Sequence, residues 1–174
     1  MGATMKNQDL CQICGEGKLI IKMEMDEIVY KGVSKQVATN YCICNHCHVE
    51  QAGPKELKAN KRIMNEFKKE VDGLLTGKEI FKIRRSLGMT QDQASLVFGG
   101  GSNAFTKYEN DDVTQSDSMD KLIRLAAEMP AAFNKLCADA NVNVAAESSW
   151  TDVFVMSSSI EFSVNADTIH ISKH

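Results

Sequence analysis

The stretch Thr90-Gln-Asp-Gln-Ala-Ser-Leu-Val-Phe-Gly-Gly-Gly-Ser-Asn-Ala-Phe-Thr-Lys-Tyr-Glu109 decides how the middle of this chain folds. Thr90-x-x-Gln93 is a capping box: the threonine oxygen takes the amide three residues on, and the glutamine reaches back to the threonine N–H. It opens a helix over Gln91–Phe98 with Ala94 and Val97 turned inward. Gly99 to Gly101 make a tight turn, and Ser102 caps a further helix through Asn110. In that helix Phe105 and Tyr108 lie three apart and pack inward, while Ala104 permits close approach. Asn103 and Lys107, four apart, share one face with Thr106 beside them. Short helices on a tight turn are the sequence form of a helix-turn-helix. An Asn near the start of its second helix can bond an adenine edge bidentately, and a Lys can reach guanine or a phosphate. Thr90 and Gln91, with free amides at a helix start, suit a phosphate. A plain solvated face is the competing reading of Asn103 and Lys107. The glycine run is no P-loop, because no Gly-Lys-Ser/Thr follows it.

The punctuation continues on both sides. Thr76-x-x-Glu79 is a second capping box, opening a helix with Ile80, Ile83 and Leu87 as its apolar set and Gly88 as its stop. Arg84 and Arg85 near its end are candidates to grip a DNA backbone. Downstream, Ser116 or Ser118 starts a helix burying Leu122, Ile123, Leu125 and Ala126, and Pro130 opens another with Phe133, Leu136 and Cys137. Upstream, Gly53-Pro54 breaks the chain. Lys55 to Val71 then repeats apolar residues at helical steps among charges, a connector helix with its polar side to water.

Four of the six cysteines form two C-x2-C pairs, Cys11/Cys14 and Cys44/Cys47, separated by 29 residues. Each pair can grip one metal from a tight turn, and two pairs complete a tetrahedron of sulfurs. The gap between them reads as a β-hairpin: strand at Lys18–Lys22 and Glu27–Tyr30, a turn at Lys31-Gly32, and a returning strand at Lys35–Ile43. Such a hairpin brings the two knuckles side by side. Structural zinc follows, since four thiolates leave no open position for catalysis. A redox pair or unligated thiols are the alternative. Cys42, His46 and His48 crowd the second knuckle as substitute ligands, although Cys42 and Cys137 are better read as small apolar side chains.

Composition is that of an ordinary globular chain, with 43% hydrophobic and 25% charged residues in 174. No apolar run approaches a membrane span and no signal peptide opens the sequence, so a cytoplasmic protein is expected. Met1–Thr4 reads as a cloning remnant ahead of Met5. Net charge is −3, yet Lys55–Asn110 holds eleven Lys+Arg against seven Asp+Glu, leaving nine against sixteen elsewhere. A basic centre with acidic flanks suits one anion-binding module beside parts that bind something else. No metal-protease motif and no nucleophile–histidine constellation is present, so no catalytic residue is assigned and no enzyme is expected.

With both halves in view, the chain resembles the MqsA/YgiT family of antitoxins. The resemblance rests on Cys11-Gln-Ile-Cys14-Gly15, on Cys44-Asn-His-Cys47, and on Phe98-Gly-Gly-Gly-Ser-Asn-Ala-Phe-Thr-Lys-Tyr-Glu109, which is close to the family's FGGG-x-NAF-x-R-YE stretch. It implies an α+β chain: a small four-cysteine zinc-binding β-hairpin module, then an all-α, lambda-repressor-like helix-turn-helix domain of Xre type. Zinc ligands fall on Cys11, Cys14, Cys44 and Cys47, and the base-reading asparagine on Asn103. The family's base-reading arginine falls on Lys107, a departure that removes the bidentate fork. The likeness further implies a homodimer that binds palindromic operator DNA, represses its own operon and wraps a small ribonuclease toxin with its zinc half. A stand-alone Xre-type repressor, perhaps phage-borne and without a toxin, is the alternative.

The expected division is 5–52 zinc module, 53–75 connector helix, 76–140 helix-turn-helix domain and 141–174 C-terminal extension. The extension goes beyond compact family members. Its alternating stretches Val153/Val155, Ile160/Phe162/Val164 and Ile169/Ile171 read as short strands. A β-meander packed on the core or completing a dimer is one reading of them. The other is a tail, marked by Trp150, that depends on a SecB-like chaperone because unpaired strands aggregate.

Overall fold

The computed structural model describes residues 10–144. The expected β-rich tail lies outside them from residue 145 onward. The N-terminal part is an antiparallel sheet in the order β1 (Leu19–Tyr30), β2 (Val33–Cys44), β3 (Glu50–Gln51). Lys31 and Gly32 close the hairpin with φ of 48° and 80°. That two-residue turn with both φ positive matches the right-handed twist of the paired strands. The register runs from Tyr30 opposite Val33 to Leu19 opposite Cys44. β1 is one unbroken strand rather than the two pieces that the sequence suggests. Its middle, Met23–Asp26, pairs with Val37–Asn40 because the alternation of charged and apolar residues simply continues.

Six helices follow among the described residues: α1 (Pro54–Asp72), α2 (Gly77–Ser86), α3 (Gln91–Phe98), α4 (Ala104–Glu109), α5 (Asp117–Glu128) and α6 (Pro130–Asp139). Pro54 occupies the first turn of α1, where a missing N–H costs nothing, and left-handed Gly73 ends it. Both expected capping boxes form, at Thr76/Glu79 and Thr90/Gln93. Ser116 caps α5 through Met119 N. Ser102 is not a cap. Asn103 takes that position without a side-chain cap bond, and Ala104 N donates to Gly101 O instead, because the glycine turn brings that carbonyl to the helix start.

Packing explains the order of the helices. Leu75, Ile80, Leu87, Met89, Ala94, Val97, Phe98, Phe105, Ile123, Ala126, Phe133 and Cys137 form one buried cluster. Phe98 and Phe105 face each other across the glycine turn at 5.5 Å between centroids. Leu125, expected inside, is 43% exposed, since the buried face of α5 runs through Asp120, Ile123 and Ala126. After α6 the chain does not leave at once: Val142 N bonds Cys137 O, and Val142 and Val144 pack on the core.

α1 lies along β2. Because β3 pairs only Cys42 and Ile43, the outer edge of β2 is open at Asn40, and the Asn60 amide fills it. Asn60 Oδ1 accepts from Asn40 N and Asn60 Nδ2 donates to Asn40 O, both at 2.8 Å. The side chain thereby does what a neighbouring strand would do. No helix among the described residues is long and apolar enough to cross a membrane.

Candidate metal centre and nucleic-acid interface

The hairpin register sets Leu19 beside Cys44, so the two C-x2-C turns meet at the open end of the sheet. Cys11, Cys14, Cys44 and Cys47 bring their sulfurs within 4.8 Å of one another. Cys11 Sγ lies 3.7 Å from Cys47 Sγ, and Cys14 Sγ 3.7 Å from Cys44 Sγ. Those separations are too long for disulfides, and a tetrahedron with Zn–S bonds of about 2.3 Å has edges of about 3.8 Å. The chain supplies amides to the sulfurs as well: Ile13 N to Cys11, Gly17 N to Cys14, and His46 N to Cys44, each at 3.4 Å. The Glu16 and Gly17 amides draw the Cys14 thiol down to about 6. A side chain on Gly17 would run into Cys44 Sγ and come within 2.7 Å of His46 Cβ, so the turn needs glycine for close approach. Four sulfurs of this spacing fit a structural zinc ion, and they are the four expected from spacing.

The substitute ligands stand aside. The exposed His46 ring turns to Glu16, with Nε2 3.3 Å from the carboxylate. Cys42 and Cys137 are buried apart from the cluster, and burial pushes both thiols up.

The candidate reading face is built by α3 and α4. Asn103 and Lys107 are exposed, and neither side chain is engaged within the described residues. Thr106 Oγ1 donates to Gln91 Oε1 at 2.7 Å, and Gln91 Nε2 donates to Glu109 Oε2 at 2.7 Å. Gln91 is thus held between the start of α3 and the body of α4. Thr90 is committed to its capping box, giving its N–H to Gln93 Oε1 and accepting from Gln93 N. Only its hydroxyl hydrogen remains to offer a phosphate. Ser102 and Arg85 are exposed.

Arg84 is a correction. It is 6% exposed and cannot grip a DNA backbone. Its guanidinium forms a fork with Glu109, through Nε to Oε1 and Nη2 to Oε2, and Nη1 donates to Met89 O at 2.7 Å. The signal is in the sequence: Ile80, Arg84 and Leu87 share one helical face, so Arg84 follows the apolar set inward. Its role is to fix Glu109, which fixes Gln91.

Lys69 carries no such signal. It is fully buried, with Nζ 2.6 Å from Asp111 Oδ1 and 3.0 Å from Tyr108 O. The acidic residues after α4 are neutralised in this way, Asp111 by Lys69 and Asp112 by Arg62.

Comparison with known proteins agrees with this architecture. Residues 9–137 match the family described as the antitoxin component of a bacterial toxin-antitoxin system, MqsA. Antitoxin MqsA of Escherichia coli (strain K12) is 29% identical over 130 residues, covering 72% of this chain and 98% of that relative.

Proposed function

Since the chain belongs to the MqsA antitoxin family, we propose that it works as an antitoxin that binds operator DNA as a homodimer, represses its own operon and neutralises a small ribonuclease toxin. The residues divide the work along the sequence boundaries. Residues 5–52 carry the zinc and take the toxin, 76–140 take DNA, and 53–75 join them. Zinc is structural in this reading, and the chain is a regulator rather than an enzyme. Residues 141–174 either add a β-meander to the core or the dimer, or serve as a handle for a SecB-like chaperone.

One observation carries the DNA reading: Asn103 and Lys107 project from one exposed face of α4 with no bond inside the described chain to satisfy them. Asn103 offers both an acceptor and a donor, the pair an adenine edge requires. Lys107 supplies a point charge for guanine or phosphate, with less base discrimination than a guanidinium fork. Thr106, Gln91 and the Thr90 hydroxyl stand beside them, and Arg85 and Ser102 flank the face for backbone contacts. Glu109 is held by Arg84 and Gln91, so its charge is not presented to phosphate. A single helix reads only a half-site, which is why a palindromic operator calls for a dimer.

Asn103→Ala should cost about 1–3 kcal/mol of operator affinity and leave binding to scrambled DNA unchanged at the same salt. Titration of both duplexes with both proteins checks this. An equal loss on the two duplexes would mean that Asn103 does not read a base.

A further inference from the structure

α1 touches both halves of the described chain. On its sheet side, Lys31 Nζ meets Asp72 Oδ1 at 2.7 Å, Tyr30 OH donates to Asp72 Oδ2 at 3.1 Å, and Lys35 pairs with Glu70. Asn60 exchanges two bonds with the β2 backbone, as described above. From its other side, α1 grips the end of α4. Lys69 Nζ donates to Tyr108 O, a last-turn carbonyl that also accepts from Asp111 N at 3.2 Å. Asn65 Nδ2 donates to Asp111 O at 2.8 Å, and Arg62 forks onto Asp112 through Nε at 2.8 Å and Nη2 at 3.1 Å. Tyr108 is the residue after Lys107, so these contacts hold the last turn of the helix that carries the reading face. Glu109 is also fixed from α2 by Arg84 and from α3 by Gln91, and α1 adds its grip on the residues that end the helix.

We infer that α1 is a positioning strut, which couples the order of the zinc hairpin to the placement of α4, with Arg62, Asn65 and Lys69 as positioning residues. The hairpin depends on its metal, because it is too small to build a sufficient core of its own. When the metal leaves, Tyr30, Lys31 and Lys35 release the end of α1, and Asn40 releases Asn60. The grip of Arg62 and Asn65 on Asp112 and Asp111 then loosens, and α4 is freed at one end. Linkage makes the effect reciprocal, so DNA on α4 strengthens zinc binding. That consequence for DNA rests on the proposed operator reading; the movement of α4 does not.

The test uses the full, isotope-labelled chain with zinc bound and after removal by a chelator. Amide resonances of Ala104–Glu109 and affinities for operator and scrambled DNA are followed in parallel. In the unaltered chain, zinc removal should shift the α4 amides and weaken operator binding about fivefold or more, with scrambled DNA unaffected. In Arg62→Ala/Asn65→Ala, the zinc-bound protein should already bind the operator more weakly, and zinc removal should move both readouts less than in the unaltered chain, because Lys69 alone still joins α1 to the end of α4. Lys31→Ala/Lys35→Ala, which cuts exposed pairs only, should blunt the response in the same way. Stationary α4 amides in the unaltered chain, or a response in Arg62→Ala/Asn65→Ala equal to it, would overturn the strut. Shifting amides in a zinc-bound protein that prefers no operator would uphold the strut and remove the DNA reading.

Discussion

Lys69→Met should lower the unfolding free energy by about 3–5 kcal/mol, as expected when one partner of a buried ion pair is deleted. Lys69 is fully buried, and its ammonium lies between Asp111 Oδ1 and Tyr108 O. Methionine keeps the length of the stem but leaves the Asp111 carboxylate with the Gly77 amide, at 3.0 Å, as its only donor among the described residues. The fold cannot easily rearrange around that charge. Gly77 packs so closely that a side chain there would strike the Glu109 carbonyl, and Asp111 sits at a left-handed φ of 55°. Asp111→Asn on the Lys69→Met background removes the uncompensated charge and keeps a residue tolerant of that φ, so it should recover more than half of the loss. Denaturant midpoints of the three proteins decide the matter. A loss below about 1 kcal/mol for the single variant would place the pair among exposed salt bridges instead.

Cys44→Ser should release the zinc and unfold the hairpin while the helical core keeps its own melting transition. Cys44 is fully buried, its sulfur is 3.7 Å from Cys14 Sγ, and it accepts the amides of His46 and Cys47. Zinc-dependent folding in modules of this size is worth on the order of 10 kcal/mol or more at neutral pH, far above the stability of a sheet without metal. β1 has almost no core to fall back on: Ile20, Ile21, Met23, Met25 and Val29 are all exposed. The cluster from Leu75 to Cys137 contains no residue of the hairpin, so it should survive. Loss of metal and a single remaining melt, that of the helical core, in the variant check this. Full zinc retention would show that three cysteines suffice.

Spacing alone makes the metal centre legible, because a tetrahedron of thiolates needs two short turns and a hairpin supplies their meeting. Helix starts are legible for a similar reason: the bonds of Thr76 to Glu79 and Thr90 to Gln93 are local, and local bonds are written in consecutive residues. Ser102 fails as a cap because a glycine carbonyl, which any sequence provides, takes the same amide. Arg84 is hidden by its charge, which ordinarily marks exposure, although its period places it with Ile80 and Leu87. Lys69 and Asp111 are 42 residues apart, and no periodicity records a pairing between a connector helix and a distant turn. The continuity of β1 is obscured by the charges in its middle, which an exposed strand face accommodates.

The most direct measurement is purification of the chain from its source cell, with mass spectrometry of whatever elutes in stoichiometric amount. The account predicts a small partner that arrests growth when expressed alone, an arrest that co-expression of this chain relieves; a SecB-like chaperone in the same fraction would assign the tail. Recovery of a homodimer alone, still bound to its own promoter, would contradict the antitoxin role and leave a stand-alone repressor.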